Sequence, residues 1–193
     1  MSCDPNQLNE LIRSRRSVLP PQFVPNNPID DSIIWEILEN ANWAPSHKLS
    51  QPWRFTVFSG EGLNKLGEYQ AERYKLLAGS NFKQEKFVKM LTQPLMCSHI
   101  IAICMKRIDR TLPEFEEMAA VACAVQNIYL SVSAYGLGGY WSTGGVTFDE
   151  GAKSYFNLDE EDKIMGFFLI GHVHELKQQG RRTPIYDKVN WIK

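Results

Sequence analysis

The stretch from Leu95 to Met105 is a nearly continuous apolar run containing several isoleucines. A strand with one face in water alternates apolar and polar residues, whereas an unbroken run fits a strand covered on both faces. A second strongly apolar segment, Ile164 to Ile170, reads as another strand and ends at Gly171. Buried strands of this kind need helices over the sheet, so the chain is expected to be α+β. At ~100–200 residues per domain, residues 1–193 make one domain with a real core.

The rest of the chain supplies the helices. Asn6 to Arg15 predicts a first helix with Leu8, Leu11 and Ile12 on one face, followed by a loop rich in proline and asparagine from Leu19 to Pro28. Asp30 has the character of an N-cap, with Ile29 and Ile34 spaced as a hydrophobic staple. The helix it opens buries Ile33, Ile34, Ile37, Leu38 and Ala41, and ends before Pro45. Arg54 to Ser59 predicts a strand broken by Gly60 and Gly62. Leu63 to about Leu77 is helical, and a further helix is expected over Phe82 to Leu91.

Pro113 suits a helix start and Gly136 its end. The segment between them is rich in small residues and apolar around much of its circumference, which predicts burial in a core or between subunits. The tail from Gln178 to Lys193 is polar, then aromatic, and long enough to be expected to pack on something.

Charge excludes several classes of partner. With 21 basic and 22 acidic side chains the formal net charge is −1, so neither nucleic acid nor an acidic membrane surface is expected. No apolar run approaches the ~20 residues of a membrane span. The first residues lack the pattern of a signal peptide, so a cytoplasmic location is expected. Cys97, Cys104 and Cys123 lie in apolar runs and read, with Cys3, as reduced thiols, the buried kind, rather than disulfides or metal ligands.

Four constellations could carry chemistry. Arg13-Ser14-Arg15-Arg16-Ser17 offers guanidinium forks and hydroxyls that match phosphate, though arginines at a helix C-terminus are also favoured by its dipole and simply solvated. Trp43 to Phe55 (WAPSHKLSQPWRF) concentrates stacking and hydrogen-bonding groups in a loop, or is a proline-pinned turn with Trp53 and Phe55 in the core. Gly136 to Gly145 (GLGGYWSTGG) lets a planar ligand approach the backbone, or is a tight connection after the buried helix. It is neither a Rossmann turn nor a P-loop. Gly180-Arg181-Arg182-Thr183-Pro184 could complete a phosphate site or be a solvated turn. No metal site is expected: His172 and His174 alternate on an extended segment without a third ligand nearby, and His99 reads as a satisfied core histidine. There is no G-x-S-x-G elbow and no H-E-x-x-H.

The order and spacing of these elements are more specific than any one of them. Arg15-Arg16-Ser17 is followed about 30 residues on by A-P-x-H-K-x-x-Q-P-W-x-F (Ala44 to Phe55), then by a long small-residue helix, a G-x-G-G-x-W-x-S/T-G segment and a late basic turn. This arrangement resembles the nitroreductase family of flavoproteins over residues 8 to 190, and especially its short members with the A-P-x-H-K loop. The resemblance implies a mixed central sheet flanked by helices, and an intertwined homodimer with FMN at the interface. It implies that Arg15, Arg16 and Ser17 hold the FMN phosphate and ribityl chain, with Arg181 or Arg182 completing the clamp. Trp43 and His47 would reach the flavin from the partner subunit, with Pro45 and Ser46 shaping that wall. Trp141, Ser142 and Thr143 would line the other side, and Ser131 to Gly136 falls where some relatives contact the nicotinamide.

The activity implied is hydride transfer from NADH or NADPH through FMN to a flat, electron-poor acceptor such as a nitroaromatic or quinone, with ping-pong kinetics and no catalytic residue in the protein. Two other readings remain open. One is a different flavin reaction on the same scaffold, a dehydrogenation or dehalogenation, for which the charged segment Tyr69 to Lys89 is the candidate lid. The other is a non-enzymatic FMN carrier or sensor. One departure stands out: Trp43 occupies a position where some short relatives have arginine, so either Lys48 or backbone dipoles supply the charge opposite a reduced flavin, or the flavin's potential is different here.

Overall fold

A computed structural model describes residues 4–174 and 180–193. In chain order the helices are α1 (Pro5–Ser14), α2 (Asp31–Asn42), α3 (Glu61–Ala78), α4 (Gln84–Thr92) and α5 (Glu114–Ala134). The strands are β1 (Trp53–Ser59), β2 (His99–Met105), β3 (Leu137–Ser142) and β4 (Lys163–His172). The sheet runs β1-β2-β4-β3.

The two apolar runs form the central strands β2 and β4, and β2 is buried along its whole length. The period-2 alternation of side chains divides them between two cores. Ile101, Ile103, Met105, Phe168 and Ile170 point towards α2 and α5, together with Ile37, Val121, Val125 and Ile128. Ile100, Ala102, Cys104, Phe167 and Leu169 point the other way and meet Leu63 and Leu66 of α3, with Phe156 and Leu158.

Helix boundaries follow local chemistry. The Asp30 carboxylate accepts from the Ser32 amide at 2.8 Å and caps α2, while Ile29 and Ile34 are both buried in the staple geometry. Pro113 is the N-cap residue of α5. His99 is a satisfied core residue: Nε2 lies 2.9 Å from Asp31 and Nδ1 2.9 Å from Ser98 Oγ.

Four expectations need correction. The pairings among the described strands are all antiparallel, so the sheet is not mixed. The α3–α4 hairpin returns the chain to reverse β2 against β1. The α5 crossover leaves β2 and β3 running the same way, but β4 inserts between them and removes the parallel pair. Second, the glycine-rich segment is no connection: Leu137–Ser142 is an edge strand paired to β4. Third, Cys123 is exposed, because it lies on the outward face of α5 with Ala119, Ala122 and Gln126; Cys97 and Cys104 are buried, and Cys3 lies outside the described residues. Fourth, the tail packs only at its start, where Gly180 and Arg182 meet the Arg13–Arg16 turn; its residues from Gly180 to Lys193 are otherwise exposed, and 178 and 179 lie outside the described part.

Candidate functional site

After α1 the chain turns at Arg15 and runs beside the sheet edge, where the Val18 amide donates to the Gly139 carbonyl at 2.8 Å. This brings Arg15 and Ser17 onto Tyr129 of α5. The Arg15 guanidinium sits 4.7 Å over the Tyr129 ring, and Ser17 Oγ lies 3.3 Å from its hydroxyl. The same hydroxyl accepts the Trp141 amide at 2.8 Å. Tyr129 is thus the hub of three predicted site residues, although in sequence it is one more ring in the largely apolar segment of α5. The signal that could have found it is a hydroxyl-bearing side chain in an otherwise apolar stripe.

The basic turn of the tail joins this cluster. Arg13, Arg15, Arg16 and Arg182 line one cavity of about 490 Å³ with Gln126 and Gly180, and no carboxylate lines it among the described residues. Gly180 lies against Arg16 so closely that a Cβ there would be 2.8 Å from Nη2. Arg16 Nη1 in turn donates to the carbonyls of Arg13 and Arg15 at 2.6 and 2.8 Å, which fixes its fork. Four guanidinium groups around a small cavity suit a phosphate. Of the two tail arginines only Arg182 lines it; Arg181 does not.

Three residues further on, Leu19 lines a second cavity of about 400 Å³ with Tyr140, Ser142, Gly144 and Gly145. So the segment from Arg15 to Leu19 runs from a cationic cavity beside α5, past the edge strand, to a cavity on the α3 side of the sheet that the glycine-rich strand helps to line. Strand alternation splits the predicted β3 residues. Ser142 faces this cavity, whereas Trp141 and Thr143 face a different one, with Phe148 and Lys163, across the strand. Trp141 and Thr143 can therefore reach a ligand on the Ser142 side only through their backbone.

The Trp141 indole is fixed by a β-bulge. The β2–β4 register shifts after Ile103, Gly166 takes φ 118°, and the carbonyl of Met165, the residue left out of the register, accepts the indole N–H at 3.0 Å. A glycine inside the apolar run of β4 is the sequence trace of that bulge.

The remaining predicted residues lie elsewhere in the chain. Trp43, which ends α2, is 79% exposed and donates from Nε1 to Glu39 at 3.0 Å. Pro45 is exposed, and Ser46 Oγ accepts the Gln51 amide at 3.2 Å. His47 Nδ1 lies 2.6 Å from the Glu116 carboxylate. Lys48 pairs with Asp109 at 3.3 Å; the hydroxyl and amide of Thr111 hold the Asp109 carboxyl down to about 2. Lys48, Leu49 and Gln51 all take positive φ, and the buried Ser50 Oγ has no hydrogen-bond partner among the described residues, so this loop is strained. Glu116 and Tyr129 are 13 positions apart on α5, or ~20 Å at 1.5 Å per residue. A single chain therefore does not bring His47 to the arginine cluster, and Trp43 does not line the arginine cavity among the described residues.

Among the described residues no group of three or more His, Cys, Asp or Glu side chains is placed to hold a metal, and no helix is long and apolar enough to cross a membrane. Burial pushes the Cys97 and Cys104 thiols up to about 12, far from a reactive thiolate.

Comparison with known proteins places this geometry. The Escherichia coli (strain K12) protein YdjA, provisionally named an NAD(P)H nitroreductase, is 32% identical over 136 residues, covering 70% of this chain and 73% of its own. Bacillus subtilis YfhC, named in the same way, is 25% identical over 94% of this chain and 92% of its own. A nitroreductase-like family protein from Bacillus cereus has a solved structure that matches with TM-score 0.82 and 26% identity, covering 100% of this chain and 99% of that one. The FMN-dependent nitroreductase NfnB of Mycobacterium smegmatis, solved with NADPH, matches with TM-score 0.75 at 15% identity over 98% of this chain and 100% of that one, which shows a shared fold. The sequence model of the nitroreductase family matches residues 12–172, and the chain belongs to that family.

Proposed function

We propose that this chain is a single-domain, FMN-dependent oxidoreductase that passes a hydride from NADH or NADPH to nitroaromatic, quinone or similar electron-poor acceptors by a ping-pong mechanism. The observation that carries this reading is the convergence of Arg15, Arg16 and Arg182 on one cavity, with Ser142 and Gly144 lining a second. The NAD(P)H nitroreductase names of the relatives and the FMN-dependent, NADPH-bound neighbour support it.

On this reading the arginines and Ser17 hold the phosphate end of FMN, and the backbone of Trp141 to Gly144 lies along the ring. When bound, FMN supplies the two-electron relay between nicotinamide and acceptor. The chain's own work is to orient the reactants, to exclude water with the α3–α4 hairpin and to aim backbone dipoles. Ser131 to Gly136 would touch the nicotinamide. No side chain is required as nucleophile or general base, and His47 acts through its position on Glu116.

The unit of function is a homodimer. Trp43 and Leu49, 79% and 80% exposed, stand out from the strained loop without apolar cover. The outward face of α5 carries Phe115, Ala119, Ala122 and Cys123, and the tail exposes Tyr186, Trp191 and Ile192. A second copy that covers these surfaces would bring its Trp43 and His47 to this chain's arginine cluster, with Pro45 and Ser46 as the wall. Reduced Cys97 and Cys104 suit the cytoplasm.

The test is the visible absorption spectrum of the purified protein before and after anaerobic NADH or NADPH, with sedimentation for mass. A flavin spectrum that bleaches, on a dimer, is the expected result. No flavin after FMN is added would sink the reading.

A further inference from the structure

The α3–α4 hairpin holds a group that hydride transfer leaves unexplained. Lys83, the N-cap residue of α4, is followed at intervals of three by Lys86 and Lys89 within the helix. Lys86 and Lys89 line the cavity that contains Ser142 and Gly144. Lys83 and Lys86 line an adjoining cavity of about 480 Å³ that continues outward between the helices, walled by Tyr74, Leu77 and Met90. No carboxylate lines either cavity, and none of the three lysines forms an ion pair among the described residues. In a chain of net charge −1 this is a local cationic mouth.

The mouth is also built rather than loose. The Tyr74 hydroxyl accepts the Lys83 amide at 2.9 Å and donates to the Asn81 carbonyl at 3.4 Å, which pins the turn between the helices. Phe82 stacks on Tyr74 at 5.7 Å, and Lys86 Nζ sits 4.5 Å over the same ring. On the other wall Gln70 presses on Gly145, where a Cβ would lie 2.7 Å from Oε1. The bidentate pair of Arg73 with Asp149, at 2.6 and 2.8 Å, ties α3 to the segment after β3. So the outer cavity has flat apolar walls and a cationic rim, held at a fixed place beside the inner one.

We infer that this outer cavity is an acceptor subsite selective for flat aromatics that carry an anionic group, with Lys83 and Lys86 reading the anion. The inference rests on the flavin reading of the inner cavity and names the substrate class of that site. A carboxylate on an electron-poor ring meets these features: the ring packs on Tyr74 and Leu77, and the carboxylate takes the lysines in place of the missing acidic partners.

The experiment compares 4-nitrobenzoate with its neutral analogue 4-nitrobenzamide. In the wild type, kcat/KM for the acid is expected to exceed that for the amide by tenfold or more, and the advantage should shrink in high salt. In Lys83→Gln/Lys86→Gln the ratio should fall to near one, while Lys75→Gln, outside both cavities, keeps it. Calorimetric binding of the two compounds to the same proteins reads the subsite without turnover, with or without flavin, and should show the same loss of preference. A wild type that takes up no FMN when it is added, yet still prefers the acid in calorimetry, would fail the flavin reading and leave the subsite standing. Equal binding of the two compounds by the wild type would overturn the inference. So would a double variant that keeps the acid preference but loses preference for NADPH over NADH, because the lysines would then read the nicotinamide's phosphate.

Discussion

The Tyr129 hydroxyl takes the Trp141 amide at 2.8 Å and stands 3.3 Å from Ser17 Oγ, so one side chain of α5 joins the post-α1 turn to the edge strand. Tyr129→Phe removes that acceptor and leaves the Trp141 amide unpaired at a cost of ~1–3 kcal/mol. The Arg15 contact with the ring survives in Phe and is lost in Tyr129→Leu. FMN affinity, measured by fluorescence titration of the stripped protein, is expected to fall roughly 5- to 100-fold in Tyr129→Phe and further in Tyr129→Leu. Unchanged affinity in both would remove Tyr129 from the site.

How much of this was legible beforehand depends on what each residue type reports. The unbroken apolar run of β2 announced a strand buried on both faces, and Pro113 with Gly136 bracketed α5, because both signals are local. β3 was not legible. Gly138 and Gly139 dilute strand propensity, and what makes glycine correct there is a neighbour distant in sequence: a Cβ on Gly139 would lie 2.7 Å from Phe168 Cε1. The antiparallel order was hidden for the same reason, since it depends on β4 inserting between strands that precede it. The motif residues of the site were legible by pattern; Tyr129 was not, because its role lies in a hydroxyl aimed across a fold. Cys123 was misread because an apolar segment does not say which face of a helix its neighbours cover.

Glu117 is 1% exposed and holds the loop between β2 and α5. It pairs with Arg107 and accepts the Ile108 and Asp109 amides at 3.1 and 3.3 Å. Removing one member of a buried pair leaves an uncompensated charge, at ~3–5 kcal/mol. Glu117→Ala should therefore lower Tm by roughly 6–20 °C, read by differential scanning calorimetry. A change within two degrees would mean that Arg107 escapes to solvent.

Acid should loosen the outer cavity. Arg73 holds the Asp149 carboxyl below the ordinary aspartate range against the opposing effect of burial, and the Gly151 amide adds to the lowering. A carboxyl with a depressed folded value contributes stability that is present above the unfolded value of ~3.9 and lost as pH falls through the lower folded value. Stability from urea melts should be flat with respect to this group above about pH 5 and decline below about pH 4. Asp149→Asn should cost ~1.5–3 kcal/mol at neutral pH and make the acid decline shallower. An unaltered acid limb in the variant would show that other carboxyls carry it.

Thiol chemistry separates the three described cysteines. Cys97 and Cys104, pushed to about 12 by burial, should resist a disulfide reagent at pH 8 until the protein unfolds. Cys123 lies on the outward face of α5, which the proposed dimer covers. In a Cys3→Ser background, Cys123 should react slowly at high protein concentration and faster on dilution, in step with the monomer fraction. Fast reaction at every concentration would mean that a partner does not cover this face.

The ~20 Å between His47's partner Glu116 and Tyr129 along α5 makes a sharper test than mass alone, because it separates a composite site from two independent ones. Take Arg15→Ala/Arg16→Ala as one variant and Trp43→Ala/His47→Ala as the other. Each homodimer should bind FMN poorly, since every site has one damaged half. In a mixed dimer, one site combines both damaged halves and the other combines both intact halves. Unfolding and refolding an equal mixture gives about half mixed dimers, and so about a quarter of the wild-type flavin sites. The flavin-to-protein ratio of the refolded mixture measures this directly, and separately tagged chains allow the mixed dimer to be isolated at one flavin per dimer. If both halves of the site came from one chain, every chain in the mixture would still be damaged, and mixing would restore no flavin at all.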